Sequence, residues 1–192
     1  LRLPAGRSTP WLGELARRTF KEELSAGSPG VGARWRRVGT QHFALYHRFE
    51  RVEAWLGKEP EAALKDVLKT LEVDLSERPL RGRVLVYLYE QREGYEEEGG
   101  GERLRAGHAQ RQPAPDGELT FITAFPQREF YRVTLRHEVG HAVLFRLYPR
   151  LPGWAHEGAA VFCEPFSSRG RRLGTYRGAE QQDQLTPLES FL

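Results

Sequence analysis

The order of periodic segments predicts an α+β domain. Two observations carry that prediction. Strand-like runs and one amphipathic helix occupy the first two thirds of the 192 residues, and two helices separated by a short proline-containing turn follow them. No internal repeat interrupts this order.

The elements follow in chain order. Thr9 is an N-cap with Pro10 at the first helical position, and Leu12, Leu15, Ala16, Phe20 and Leu24 fall at roughly helical spacing. Residues 25–32, rich in Gly, Ser and Pro, read as a linker. The expected organisation is therefore an appendage over 1–33 and one domain over 34–192. Residues 35–49 read as a strand, in which Phe43, Leu45 and His47 alternate with Ala44, Tyr46 and Arg48. Residues 61–75, opened by Pro60, place Ala62, Leu64 (or Ala63), Val67, Leu68, Leu71 and Leu75 on one helical face. Residues 84–89 form a buried-type strand. The charged stretch 93–115, centred on Gly99, Gly100 and Gly101, reads as a long mobile loop, and 119–124 as a third strand. Residues 127–148 read as a helix ended by Pro149, and residues 153–164 as a second ended by Pro165. The tail over 166–192 is polar and poorly periodic.

Composition narrows the class. Hydrophobic residues make up 39% of the chain and charged residues 29%, which describes a globular domain and not a disordered one. A chain of this length buries roughly 70% of its unfolded surface, so it needs no disulfide framework, and a lone Cys163 offers none. No apolar run reaches the roughly 18–20 residues that a helical membrane span requires. The net charge of +3 arises from arginines spread along the chain, so no block calls for nucleic acid. Met and Asn are absent and Ile122 is the sole isoleucine, a bias expected of a GC-rich genome; adaptation to heat would also remove Met and Asn, but it usually enriches Lys, which is scarce here. Because the sequence does not begin with Met, the expectation is a processed or shortened chain.

Chemistry concentrates in the first of the two late helices, at His137-Glu138-Val139-Gly140-His141. Histidines at i and i+4 share a helical face, so both rings can reach one small cation, and neutral imidazole is a preferred zinc ligand. Glu138 points roughly 100° away around the helix, within reach of a water on the metal. Leu135, Val139, Gly140, Ala142 and Val143 are uncharged, as a buried active-site helix requires. A catalytic zinc site needs a third protein ligand. The longer motif with a third histidine would place Gly at 144 and His at 147, and both are Leu. After the turn at Pro149–Pro152, Glu157 lies about 6–8 Å along the next helix, and an antiparallel pair returns it to the level of the histidines. His156 stands about 100° off that line.

Together, HEVGH and the downstream Pro152-Gly153-Trp154-Ala155-His156-Glu157-Gly158-Ala159-Ala160 resemble the gluzincin clan of zinc metallopeptidases. They are most similar to its small peptidase MA-like domains, whose second motif reads PxWxxEGxA. The resemblance is sharp over 134–164 and looser over 38–125. It implies a zincin-like fold: a small mixed sheet with an edge strand over the cleft, the HExxH helix and an antiparallel glutamate helix. It also implies one Zn2+ held by His137, His141 and Glu157, with Glu138 as catalytic base. The edge strand would be 119–123, with Thr120, Phe121, Ile122 and Thr123 pairing an extended peptide or protein substrate. The GxMEN motif of the related aminopeptidases is absent, which favours endopeptidase action. Members of the group continue with further helices after a segment resembling 185–192, so the expectation is a domain shortened at its C-terminus. The resemblance favours export, whereas the lack of disulfides fits the cytoplasm.

Secondary candidates are Glu164, seven residues past Glu157 and able to orient a ligand histidine, and Tyr176, a donor for a tetrahedral oxyanion. Tyr131, Tyr95 and His108 compete for the role of Tyr176. His42 and His47 read as structural and Cys163 as an apolar filler. Two other readings share these motifs: a zinc-stabilised interaction module without catalysis, and a zinc amidase acting on a non-protein amide such as a cell-wall crosslink.

Overall fold

The computed structural model describes residues 35–49, 56–80, 82–97, 106–114, 117–126 and 130–171. The predicted helix over 9–24, the linker after it and Tyr176 lie outside the described residues.

A five-stranded mixed sheet forms the centre, with strand order β1-β2-β3-β5-β4. Strand β1 (Arg36–Gly39) pairs antiparallel with β2 (Phe43–His47), from Arg36 opposite His47 to Gly39 opposite Ala44. The stretch read as one strand over 35–49 is thus a hairpin. Its turn is closed by Thr40, whose amide donates to the Phe43 carbonyl at 2.9 Å and whose hydroxyl accepts from the Phe43 amide at 3.1 Å. Strand β2 runs parallel to β3 (Val84–Leu88), and β3 runs parallel to β5 (Gly117–Ala124).

The outer strand on the far side is β4 (Gly107–Ala114), antiparallel to β5 from Gly107 opposite Ala124 to Ala114 opposite Gly117. Two expectations are corrected here. The stretch 93–115 is not one long loop, because it contains helix α2 (Arg92–Glu97), anchored by the fully buried Tyr95, as well as β4. Residues 119–123 are not the edge strand. Thr120, Phe121, Ile122 and Thr123 are at most 1% exposed and lie between β3 and β4, so their strand has no open side for a peptide. The charged, glycine-rich run around β4 made it look like a loop, and the polar residues of β4 itself are of the kind that blunt an edge against unwanted pairing.

The two faces of the sheet bury different clusters. One face sets Phe43, Leu45, Val84, Val86, Leu88 and Ile122 against three helices, and the other carries Tyr46, Tyr87, Tyr89, Tyr95 and Phe121. Helix α1 (Glu59–Thr70) contributes Ala63, Leu64 and Val67 to the first cluster. It ends five residues before the predicted stop. The Glu72 amide donates to the Lys69 carbonyl and the Val73 amide to the Leu68 carbonyl, a Schellman closure that sets Glu72 at φ 53°.

A π-helical turn (Phe130–Thr134) leads into helix α3 (Leu135–Leu147), and helix α4 (Gly153–Cys163) follows it. Helix α3 packs Leu135, Val139, Ala142 and Val143 into the first cluster, each worth about 1.5–3 kcal/mol on full burial for the larger side chains. Its two ends are fixed by arginines. Arg136 pairs with Asp66 on α1, and Arg146 donates to Thr120 Oγ1 at 3.2 Å and to the Gly82 and Arg83 carbonyls at 3.1 and 2.8 Å. Among the described residues, no helix is long and apolar enough to cross a membrane.

Candidate metal centre

Helices α3 and α4 run in opposite directions. His137 contacts Glu164, Gly140 faces Ala160 and Cys163, and His141 meets Glu157 and His156. The arrangement brings three donor atoms together at the floor of a cleft of about 660 Å³. His137 Nε2 and His141 Nε2 are 3.2 Å apart, and each lies 3.6 Å from Glu157 Oε2. Ligands at about 2.0–2.1 Å in a tetrahedron stand roughly 3.3–3.4 Å from one another. The donor set therefore fits a small ion such as zinc, and the three residues form a group that could hold a metal.

The surroundings hold these ligands in place. Glu164, whose side chain is fully buried, accepts from His137 Nδ1 at 3.0 Å and from the Ser168 hydroxyl at 2.6 Å. With Nδ1 engaged, Nε2 is the nitrogen of His137 turned to the site. On the other side, His141 stacks on Phe145 and His156, with ring centroids 5.9 and 5.8 Å away. His156 Nδ1 lies 3.5 Å from His141 Nδ1, and His156 lies outside the three-residue donor group.

Charge in the site follows from these contacts. Burial opposes protonation of His137. The Glu157 and Glu164 carboxylates and the nearby Glu138 outweigh it and raise the imidazole to about 9 without a metal. The His137 and His141 imidazoles hold the Glu157 carboxyl far below the usual carboxylate range. Glu138 behaves oppositely. Burial pushes its carboxyl up, against the pull of the two imidazoles and of the Ala109 amide, which donates to it from β4. His156 is lowered by burial and then by the fields of His141 and Arg111, so it is neutral near pH 7.

No protein-family model, curated protein or solved structure matches the chain.

The remaining candidates fall into place by position. Tyr95 belongs to the tyrosine-bearing cluster, and its Oη is 3.0 Å from Nδ1 of His108, which lines the cleft but stands outside the three-residue donor group. Tyr131 belongs to the π-helical turn. Four residues escaped the sequence reading. Ser168 follows Glu164 at i+4, a helical spacing that could have flagged it. Gly107, Ala109 and Arg111 occupy alternate positions of β4, a period-2 signal hidden by the polar residues between them. A Cβ on Gly107 would stand 3.1 Å from Ala124 Cβ, 3.1 Å from Thr134 Cγ2 and 3.3 Å from Glu138 Cγ. Glycine is thus what lets β4 close on the start of α3.

Proposed function

We propose that this chain is a zinc-dependent peptide hydrolase with a zincin-like catalytic domain. The observation that carries the reading is the triangle of His137 Nε2, His141 Nε2 and Glu157 Oε2 at 3.2–3.6 Å, with Glu138 buried beside it on the helix of the two histidines. Zinc held there would supply Lewis acidity to a peptide carbonyl and make water a better nucleophile.

Glu138 does the proton work. Its carboxylate, one residue from a ligand and 5% exposed, takes the proton of the attacking water as the water oxygen bonds to the carbonyl carbon. It then delivers that proton to the amine nitrogen as the C–N bond breaks, so one water is consumed and an acid and an amine leave. Burial suits the residue to both tasks, because a raised carboxyl is a better base than an ordinary one and releases its proton less readily to solvent. Glu164, itself held by Ser168, keeps the His137 ring oriented, and β4, not β5, is the outermost strand beside the cleft among the described residues.

The test pairs metal analysis with cleavage of an unbiased peptide library, with and without chelator. One zinc per chain and chelator-sensitive cleavage is the expected result, with Glu138→Gln retaining zinc and losing turnover. One zinc with no cleavage of any peptide would favour the interaction module, and cleavage of a non-protein amide alone would favour the amidase.

A further inference from the structure

The cleft carries side chains of both signs of charge. Its two acids are both engaged, Glu138 by the Ala109 amide and Glu157 by the paired imidazoles. Histidines aside, Arg111 is the one cationic side chain among the described residues that line it. The guanidinium lies 5.6 Å from the centroid of the Phe145 ring, which in turn packs on His156 with centroids 4.6 Å apart. Further interactions within the chain also engage Arg111, and its side chain is exposed.

Strand geometry sets the distance at which that charge acts. Arg111 follows Ala109 by two residues, so it projects from the same side of β4 about 7 Å further along. An extended peptide lying beside β4 repeats its side chains at the same interval. A peptide whose reacting bond sits by Glu138 therefore carries the group two residues away past Arg111. Phe145 and His156 beneath that point are an aromatic floor against which the stem of an acidic side chain packs.

We propose that Arg111 is a specificity-determining residue that selects peptides bearing a carboxylate about two residues from the bond that reacts. The inference rests on the hydrolase reading for the peptide, and on Arg111 alone for the carboxylate. That carboxylate belongs either to an acidic side chain or to the end of the peptide, and both present the same bidentate acceptor to a guanidinium.

Three peptide hydroxamates of one length separate the sources: one with a Glu side chain and an amidated end, one with Gln and an amidated end, and one with Gln and a free terminal carboxylate. Their affinities are measured by competition on zinc-loaded protein. The wild type should bind one or both carboxylate-bearing compounds about 10- to 100-fold more tightly than the neutral one. Arg111→Gln should bring all three within about threefold while leaving zinc content unchanged, and Arg111→Lys should keep part of the preference. Equal binding of all three by the wild type, or a preference that survives Arg111→Gln, overturns the proposal. Acetyl-capped peptides of the same sequences, titrated into chelator-treated protein, give the same comparison without metal. A carboxylate preference in protein that hydrolyses nothing would overturn the hydrolase reading and leave Arg111 in its role.

Discussion

Glu164 and His137 are 27 residues apart in sequence, yet Oε1 of one lies 3.0 Å from Nδ1 of the other at the far end of the α3–α4 pair. Removing this bond should weaken metal binding without removing a ligand. Glu164→Ala is expected to lower zinc affinity about 10- to 100-fold, read by competition with a chromogenic chelator. Ser168→Ala should act in the same direction and more weakly, because it touches zinc only through Glu164. An unaltered affinity in Glu164→Ala would show that the ring is oriented by packing alone.

The two neighbouring residues His156 and Glu157 should behave differently. Glu157→Ala leaves two imidazoles for the ion, so zinc should be lost or bound far more weakly. His156→Ala removes a ring stacked on His141 and should keep both zinc and most turnover. Metal content measured after gel filtration distinguishes them, and zinc lost from His156→Ala but kept in Glu157→Ala would reassign the third ligand.

Metal removal should be visible as a loss of stability, since the three ligands join two helices. With free zinc about a thousandfold above Kd, the linkage contributes about 4 kcal/mol. For a chain of this size that is on the order of 8–16 °C in Tm. Calorimetry before and after exhaustive chelation measures it. Coincident melts would mean that the ions do not bridge α3 and α4.

His47 gives a prediction independent of the metal. The ring is fully buried, stacks on Phe49 with centroids 5.5 Å apart, and neither ring nitrogen has a hydrogen-bond partner among the described residues. Burial, and then the Arg36 charge, lower its pKa from 6.5. The unfolded chain therefore takes up a proton that the folded chain refuses, and stability falls as pH drops below about 6.5 towards the folded value. The slope approaches about 1.4 kcal/mol per pH unit at most. Urea midpoints at pH 7.5, 6.5 and 5.5 should fall more steeply for the wild type than for His47→Leu. Parallel curves would remove His47 from the acid limb.

Gly140, inside the HEVGH motif, is a tolerant position. A Cβ there would meet Ala160 Cα and Cys163 Sγ at 3.4 Å, which is contact and not collision. Gly140→Ala should therefore gain about 0.5–1 kcal/mol from helix propensity at unchanged zinc stoichiometry. A drop in the denaturation midpoint would show that the two helices have no room to give.

The candidate site was more legible in the sequence than the sheet around it, and locality is the reason. His137, Glu138, His141, Glu157 and Glu164 lie within one helical hairpin, so helical periodicity and the length of one turn are enough to align them. Strand neighbours are chosen over long separations, by burial and by which edge stays open, and neither is written in a local pattern. The apolar run at 119–124 reads as a strand either way, and only the pairing of β4 outside it makes it internal. Similarly, Leu71 and Leu75 continue the helical period of α1, but the closure at Glu72 ends the helix first.

The missing side chain at Gly107 acts as a spacer of one hydrogen atom between the outer strand and the base of the cleft. A methyl there has no flexible neighbour to displace at Ala124, so Gly107→Ala would lever β4 outward and lengthen the bond from the Ala109 amide to Glu138. That amide is one of the few influences drawing the Glu138 carboxyl down. Losing it would leave the residue protonated to a higher pH, and the acid side of the activity profile would move upward with it. The acidity of a buried glutamate, raised first by its burial, is in this way trimmed by how closely a neighbouring strand is allowed to approach.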